Sequence, residues 1–455
     1  MAEIVADNIS IIQSDDLEGA TRLDAEYYQP KYLETITLIG DADSLRTYLE
    51  EIIHPTEIKR LYSEKGIQIL LAQNIRNNRL DFSTSVYMEE SKNKALKRNN
   101  LKYGDVCMTR SGANFGDTAT YLGVPANIFA CADCLILRPR RIEGSYIATF
   151  LNTKHGKYLL ERGAYGMAQP HIAPNYLYDI RLPYFSLKFE TEIKNIIEKS
   201  YELFEKSNIL YSKAETLLLE ELGIKDIDLS HDPCYEVNSA DTIAANRIDA
   251  EYYQPKYNNL LLIIKKKAKY YRQVKEFRSF NARGEQPIYV KEGNLRVINS
   301  RHILEQHLDY ENSERTHEQN WNLQSNARVF KYDILTYTTG AYVGRTNIYL
   351  ENDRTLGSNH VNILRFREEN PIYVSVVLNS MIGRLQTKRL VTGSAQVELY
   401  PCDIDKFIIP FIDTKKQEHI SSLVEESYRA KREAKALLGE AKKKVEEMIE
   451  KGKED

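Results

Sequence analysis

The sequence is poor in the features that stabilise secreted proteins or anchor membrane proteins. It has only five cysteines among 455 residues, and this small odd number favours a reducing cytoplasm over a disulfide scaffold. No apolar run approaches the roughly 20 residues that a helix needs to cross a bilayer. The chain opens without a basic leader followed by a long apolar core, so we expect no secretion signal.

Signatures of catalysis are also missing. We find no phosphate loop ending in Gly-Lys-Ser/Thr, no glycine-rich cofactor loop after a strand, and no Asn/Asp-Pro-Pro-Tyr run of the amino-methyltransferase kind. Cys131 and Cys134 form a lone Cys-x2-Cys pair, whereas zinc normally requires two more ligands at matching spacing. We therefore interpret these residues as two buried strand cysteines, and expect no catalytic residue, no metal site and no cofactor bound by this chain.

The formal net charge of the chain is only −3, so any contact with nucleic acid must come from local clusters of positive charge. Each basic cluster is either a solvated face or a contact surface for nucleic acid. The clusters are Lys92, Lys94, Lys97, Arg98, Lys102 and Arg110; Arg138, Arg140 and Arg141; and Lys265, Lys266, Lys267, Lys269, Arg272 and Lys275. Tyrosine outnumbers the other aromatics, with 31 Tyr against 13 Phe and one Trp, which suits recognition surfaces and ordinary domain interfaces alike.

An internal repeat organises the chain. Residues 22–32 read RLDAEYYQPKY and residues 247–257 read RIDAEYYQPKY, so Leu23 against Ile248 is the only difference. Such identity across the chain indicates two copies of one unit. Asp24 can cap a short helix, and Pro30 is expected to disturb any longer one. The segment is either a docking element, for a partner or for the other half, or a structural hinge that begins each domain.

Further matches continue between the two halves at a nearly constant offset. They pair Leu101–Val106 with Val329–Ile334, Gly112–Gly116 with Gly340–Gly344, Phe150–Thr153 with Val377–Ser380, and Gly166–Gln169 with Gly393–Gln396. The residues between these anchors differ strongly. We predict strands at 66–71, 105–109 and 135–139 and a helix over 146–160, and one scaffold with two different surfaces.

Each half ends in a long amphipathic helix. Apolar residues recur at spacings of three and four from Glu192 and again from Glu418, with charged residues between them and no proline. Two such helices can bury each other as an antiparallel pair. They either pack only, or pack and also set the spacing of the two domains, which we prefer.

These features together resemble the specificity subunit of a type I restriction–modification system. The resemblance covers nearly the whole chain and is carried by the duplicated segment, the two divergent domains, the glycine–glutamine segments, the two long helices and the helix entry Lys415–Ile420. It implies an α+β fold: two homologous mixed α/β target-recognition domains separated by a pair of long antiparallel coiled-coil helices, with pseudo-twofold symmetry. The implied boundaries are 1–187 and 236–414 for the domains, 188–235 for the spacer helix and linker, and 415–455 for the C-terminal helix.

The resemblance also implies partners. Each domain would read one half of a bipartite site in double-stranded DNA, and the helices would set the spacing and dock two methyltransferase subunits. Those subunits would use S-adenosylmethionine, and two restriction/translocase subunits would use ATP and magnesium. The chain itself would be non-catalytic.

Residues for reading DNA are expected in the glycine loops, where the backbone can approach a duplex closely. The alternative is a tight turn in which glycine supplies only a positive φ. The positions that differ between the halves, Arg110/Thr338, Asn114/Tyr342 and Asp117/Arg345, are the stronger candidates. The full set is Lys97, Arg98, Arg110, Ser111, Asn114, Asp117, Gln169, His171, Tyr337, Thr338, Tyr342, Arg345, Ser394 and Gln396.

Three other functions stay open. A recognition subunit of another methyltransferase-based defence complex is a close variant. A non-catalytic protein–protein scaffold is favoured by the near-neutral net charge, and an enzyme with an unrecognised site is the third.

Overall fold

The computed structural model describes residues 3–6, 9–14, 17, 22–57, 59, 61–112, 114–166, 170–224, 230–393 and 396–451. The chain forms two compact units, the first made of Met1–Phe204 with Arg432–Asp455 and the second of Glu205–Lys431. None of the described helices is both long enough and apolar enough to span a membrane.

The first unit contains twelve strands among its described residues. They are β1 (Glu3–Ala6), β2 (Ile9–Ile11), β3 (Leu49–Ile53), β4 (Tyr62–Ser63), β5 (Ile67–Leu70), β6 (Ile75–Arg76), β7 (Arg79–Leu80), β8 (Val86–Met88), β9 (Val106–Thr109), β10 (Thr118–Thr120), β11 (Ile128–Ala130) and β12 (Cys134–Pro139). The helices are α1 (Pro30–Ile39), α2 (Leu45–Tyr48), α3 (Asn93–Leu96), α4 (Gly144–Asn152), α5 (Lys154–Gly163), α6 (Pro174–Asp179) and the long α7 (Leu187–Glu221), which continues into the second unit.

The second unit adds ten strands, again among the residues described. They are β13 (Tyr270–Gln273), β14 (Arg278–Arg283), β15 (Leu295–Ile298), β16 (Glu314–Thr316), β17 (Arg328–Val329), β18 (Ile334–Tyr337), β19 (Thr346–Ile348), β20 (Thr355–Gly357), β21 (Val361–Phe366) and β22 (Ile408–Phe411). The helices are α8 (Ser239–Ala245), α9 (Pro255–Lys267), α10 (Val274–Phe277), α11 (Asn320–Leu323), α12 (Pro371–Asn379), α13 (Met381–Leu390), α14 (Pro401–Ile404) and the long α15 (Thr414–Lys451), whose last part belongs to the first unit.

The main sheets of the two units have the same topology. A four-stranded antiparallel main sheet has the order β10-β9-β12-β3 in the first unit and β19-β18-β21-β14 in the second. A smaller sheet in each unit contains one parallel pair, β5 with β11 and β15 with β20, beside an antiparallel strand. The predicted α+β class with two like domains is thereby confirmed.

The central strands of the main sheet are buried on both faces. On β12, Leu135 and Leu137 belong to the core under the helices, whereas Cys134 and Ile136 belong to the core between the two sheets. Side chains alternate between the faces of a strand, so a strand between two apolar layers must be apolar throughout. This explains why the sequence shows continuous apolar runs here.

The two long helices pack as an antiparallel pair within each unit. In the first unit Ser200 Oγ donates to the carbonyl of Ala434 at 2.9 Å, and Lys444 Nζ lies 2.8 Å from a Glu192 carboxylate oxygen. In the second unit, Ser427 Oγ donates to the carbonyl of Ser207 at 2.7 Å. As residue numbers rise along one helix, those of its partners fall along the other, which is the predicted antiparallel arrangement.

The repeated segment forms the same backbone elements in both units, after β1 and β2 in the first and after α8 in the second. An arginine pairs with the aspartate two residues later and lies over a tyrosine ring, at 4.1 Å for Arg22 over Tyr27 and 4.6 Å for Arg247 over Tyr252. A short 3-10 helix precedes α1 and α9, both of which start at the proline of the repeat.

The local predictions near the repeat are confirmed in part. The short helix expected before Pro30 is the 3-10 helix Ala25–Tyr28, and Pro30 itself begins α1, where no N–H donor is needed. Asp24 precedes the short helix but, contrary to expectation, makes no capping hydrogen bond with its side chain. The helix expected over 146–160 is two helices, because Thr153 ends α4 and its hydroxyl accepts from the Gly156 amide at the start of α5.

In each unit, an ion pair with a buried aspartate links the turn before one central strand of the main sheet to an arginine on the neighbouring strand. Arg138 donates to Asp105 through Nε and Nη2, at 3.0 and 2.9 Å, and its Nη1 donates to Glu51 at 2.9 Å. Arg365 donates to Asp333 through two nitrogens, both at 2.6 Å. The hydrogen bond with Asp105 raises the pKa of Arg138. Burial raises the pKa of Asp333, and the hydrogen bond from Arg365 opposes that shift. Arg138 therefore does not belong to an exposed basic patch, a correction to the sequence interpretation.

We predict that Arg138→Ala destabilises the first unit by about 3–5 kcal/mol, because the buried Asp105 carboxylate loses its counter-charge. Urea unfolding of the full chain, followed by circular dichroism, measures this change. Arg141→Ala is the matched control, since Arg141 is exposed three residues further on and should change stability by less than about 0.5 kcal/mol. Equal effects of the two substitutions would contradict the assigned role of the pair.

Candidate nucleic-acid interface

Four chain segments converge at one edge of the main sheet in each unit. We call this surface the loop edge. In the first unit it comprises His54, residues 110–112 and 114–117 of the β9–β10 loop, the turn Cys131–Cys134 and the hairpin arms 165–166 and 170–171. In the second unit it comprises Arg283, the β18–β19 loop 338–345, the turn Ser358–Val361 and the hairpin arms 392–393 and 396–398.

The first loop has the same backbone in both units. The amide of Thr109 donates to Asp117 O at 2.9 Å, as the amide of Tyr337 does to Arg345 O at 2.8 Å. Gly112 and Gly340 have φ of 94° and 115°, values that favour glycine. Glycine is thus required by the turn itself, and the side chains around it can differ.

The hairpin after α5 or α13 joins this loop. Tyr165 and His171 exchange backbone hydrogen bonds at 2.9 and 2.8 Å, and Thr392 and Glu398 do so at 3.0 and 2.8 Å. One arm of each hairpin bridges the first loop, at Ser111 with His171 and at Thr339 with Glu398. The two glycine-containing segments expected from the sequence are therefore neighbours in space.

The third segment is the turn before β12 or β21. The Arg110 amide donates to the carbonyl of Asp133 at 2.9 Å, and the Thr338 amide donates to that of His360 at 3.1 Å. Beside this turn, His54 Nε2 lies 3.1 Å from both the Ala132 carbonyl oxygen and an Arg110 guanidinium nitrogen. Arg283 takes the place of His54 in the second unit, where it lies over the ring of Tyr400.

The basic segment with Lys97 and Arg98 lies beside the loop edge of the first unit. Both residues are exposed, and the next residue, Asn99, is buried. The side-chain nitrogen of Asn99 donates to the backbone carbonyls of Thr56 and Ala130 at 3.0 and 2.9 Å, and its side-chain oxygen accepts from the backbone amide of Thr56. Asn99 thereby attaches two cations to the strand end that carries His54.

Polar side-chain atoms without a partner are concentrated at the loop edge of the second unit. Within the described residues, buried side-chain atoms lacking a hydrogen bond there belong to Arg283, Thr338, Thr339, Ser358, Asn359, His360 and Asn362. Buried polar groups are normally hydrogen-bonded, so such a cluster marks a surface that a polar ligand can complete.

The structure places the predicted residues unevenly. Partly exposed side chains at the loop edge belong to Arg110, Ser111, Asn114 and His171 in the first unit and to Tyr337, Tyr342 and Gln396 in the second. Thr338 is fully buried, and its side chain does not face solvent. Gln169 and Ser394 lie outside the described residues.

Two further predicted residues are engaged within their own unit. Asp117 forms an ion pair with Lys157 at 2.6 Å. Arg345 lies over the ring of Tyr342 at 3.7 Å and pairs with Glu305 at 3.1 Å. Asp117 therefore braces the loop against α5, whereas Arg345 holds the exposed Tyr342 ring in place.

Sequence reasoning missed His54, Arg283, Asn359 and His360. The signal was present, because residues 131–133 and 358–360 both precede a matched strand and share no residue type. His54 follows β3 and Arg283 is the last residue of β14. The sequences of these strands are unlike, so only the shared sheet register identifies the two residues as equivalent.

No protein-family model matches the sequence, and no curated protein sequence is similar to it. Among solved structures, the chain is similar to the type I restriction–modification system S subunit from M. genitalium, with 11% identity, a TM-score of 0.37, and coverage of 90% of this chain and 96% of that one. It is similar to a chain from a study of complex assembly and conformational transition of the type I R-M system, with 13% identity, a TM-score of 0.29, and coverage of 90% and 96%.

The HsdS subunit from Thermoanaerobacter tengcongensis is a third similar chain, with 14% identity, a TM-score of 0.28, and coverage of 90% of this chain and 95% of that one. These TM-scores are lower than those of chains that share a whole fold, so our argument is based on the internal geometry of each unit.

We predict that Asn99→Ala releases the segment with Lys97 from the loop edge. Three hydrogen bonds of the buried Asn99 side chain are lost, and the unpaired Thr56 amide should exchange with solvent at least about tenfold faster, at roughly 1–3 kcal/mol per unsatisfied group. Hydrogen–deuterium exchange measures this. Lys97→Ala is the control, because its exposed side chain should leave the Thr56 amide protected; slow exchange in both variants would contradict the assignment.

Proposed function

We propose that this chain is the DNA sequence-specificity subunit of a type I restriction–modification complex. Each unit reads one half of a bipartite site in double-stranded DNA through its loop edge. The chain performs no chemistry and directs partner subunits to the site.

One observation carries the proposal: the loop edges share their backbone hydrogen bonds and differ in their side chains. Sequence is read by side chains that contact base edges, whereas a common backbone fixes the pose on the duplex. Two copies of one scaffold with different readers suit two unlike half-sites. A surface for a single common ligand would instead keep its side chains.

The side chains have the chemistry that such reading requires. Arg110 suits guanine, and Asn359 and Gln396 suit adenine, because their paired donors and acceptors match those base edges in the major groove. Exposed Lys97 and Arg98 are placed to grip phosphates, which supplies affinity without sequence information.

The long helices set the distance between half-sites and dock two methyltransferase subunits in this proposal. The methyltransferases bind S-adenosylmethionine and methylate adenine. Two restriction/translocase subunits, which use ATP and magnesium, join for cleavage. A recognition subunit of another methyltransferase-based defence complex fits the same geometry, and the neighbouring genes distinguish the two.

We predict that Arg110→Ala and Asn359→Ala relax different halves of the recognised site. Each substitution should cost about 1–3 kcal/mol of discrimination at its own half-site, because one paired base contact is lost. Mapping methylated adenines in the host genome, with the wild-type gene, each variant and no gene, measures this directly.

Arg141→Ala is the control for both variants and should leave the methylation pattern unchanged. If the assembled complex binds all duplexes equally at low salt, DNA recognition is wrong and a protein–protein scaffold is the better interpretation. If both substitutions relax the same half-site, the assignment of one unit to each half is wrong.

We also predict that lengthening both long helices widens the permitted gap between half-sites. One heptad inserted after Leu203 in α7 and one after Lys431 in α15 keep the apolar seam in register. Together they add about 10 Å, or roughly three base pairs at ~3.4 Å each. The gap is read from the methylated sites.

The matched control is Glu205→Ala with Lys206→Ala, which changes exposed residues of α7 without changing its length. An unchanged gap in the lengthened protein, with methylation retained, would mean that the helices do not act as the ruler.

A further inference from the structure

A pair of thiols lies inside the loop edge of the first unit. The amide of Cys134 donates to the carbonyl of Cys131 at 3.1 Å, which closes a four-residue turn. Such a turn brings its end Cα atoms within about 7 Å, close to the range of a disulfide. The two sulfur atoms are 3.7 Å apart and both thiols are free.

The two thiols differ in reactivity. The hydrogen bond from Cys134 lowers the pKa of Cys131 to about 7, and backbone hydrogen bonds from Asp133 and Ala72 act in the same direction. Cys134 is fully buried, and its own pKa is raised by the bond to Cys131 and by burial. This is the asymmetry of a nucleophilic thiol beside a resolving thiol.

A small cavity of about 20 Å³ reaches Cys131, and its lining includes Thr56, Asn99 and the half-exposed Tyr62. A space of this size holds a molecule about as large as water, and peroxide is only slightly larger. No cluster of three or more His, Cys, Asp or Glu that could hold a metal occurs among the residues described, so the pair is better suited to oxidation than to zinc.

We propose that Cys131 and Cys134 form a reversible disulfide when the protein meets a peroxide, and that this bond reshapes the turn of the loop edge. The Cys131 thiolate attacks hydrogen peroxide, takes up a proton and becomes a sulfenic acid as one water leaves. The Cys134 sulfur then attacks the Cys131 sulfur, its proton leaves with the hydroxyl as a second water, and the sulfur–sulfur bond forms. Two thiols are oxidised and one peroxide is reduced to two waters.

The bond would act on the neighbouring readers. The Asp133 carbonyl holds the Arg110 amide, and the Ala132 carbonyl contacts His54, so moving this turn moves both side chains. The equivalent positions of the second unit are Ser358 and Val361, which cannot form such a bond. If the loop edges read DNA as proposed above, oxidation affects one half-site only.

The first test follows the thiols without DNA. The full chain carrying Cys234→Ser and Cys402→Ser, which removes the two exposed cysteines, is treated with hydrogen peroxide, digested and analysed by mass spectrometry. We expect the peptide with residues 131–134 to lose two hydrogen atoms and to regain them with dithiothreitol. Cys107, buried one strand away, is the internal control and should remain a thiol.

A separate measurement follows the rate of iodoacetamide labelling of Cys131 in the reduced chain. The rate should rise with pH around a midpoint of about 7, since the thiolate is the nucleophile. Replacing Cys134 by alanine should move that midpoint upward, because the principal hydrogen bond to the thiolate is lost.

Peroxide that oxidises Cys131 only to sulfinic or sulfonic acid, or that leaves both thiols intact, overturns the proposal whatever the chain binds. If the disulfide forms, the assembled complex should lose about tenfold in affinity for duplexes matching the first half-site, as expected for one displaced base contact. Unchanged affinity with the disulfide present overturns the effect on the turn. Equal binding of all duplexes by the reduced complex would instead reject the proposed function and leave the disulfide standing.

Discussion

Backbone hydrogen bonds at the end of each main sheet are the constraint on which the loop edges depend. The chain must leave three strands at one edge and still satisfy the amides that the sheet no longer pairs. It does so with the same set of backbone bonds in both units, around Thr109 and Tyr337 and around Tyr165 and Thr392. Since these bonds use only main-chain atoms, most side chains at the edge are free to differ, although Asp117 and Arg345 also make contacts within their own units.

The buried ion pairs also hold the main sheets together. Asp105 and Asp333 accept from a backbone amide of the preceding turn as well as from their arginines, so each carboxylate ties a loop to the neighbouring strand. A charge inside a protein is tolerated only when its hydrogen bonds are complete. The duplication of this pair, with its backbone amide donor, helps to explain why the two sheets keep one register while their surfaces diverge.

Much of the fold could be predicted from the sequence, because it rests on patterns that are local or repeated. The eleven-residue repeat predicted the two units, and the spacing of apolar residues predicted the long helices. Apolar runs predicted strands at 66–71, 105–109 and 135–139, which the structure has at 67–70, 106–109 and 134–139. The start of α1 at Pro30 and the break at Thr153 were missed, since both depend on a single backbone donor rather than on periodicity.

The site was less predictable, because it is formed by segments that are far apart in the chain. The spacing of residues along the sequence does not show that such segments meet in the fold. The glycine loops were identified, but the burial of Thr338 and the approach of His54 to Arg110 follow from sheet register, which single residues do not reveal. Asp117 and Arg345 differ between the halves and yet make contacts within their own units. Divergence alone therefore does not separate a ligand contact from a brace.

The division of the chain between the units also bears on its synthesis by the ribosome. The second unit is one uninterrupted stretch, whereas Ala441, Val445 and Ile449 of the last helix fill the core of the first. The unit whose translation begins first therefore completes its folding last. Its core keeps an apolar groove open until this part of α15 has been synthesised and can pack into it.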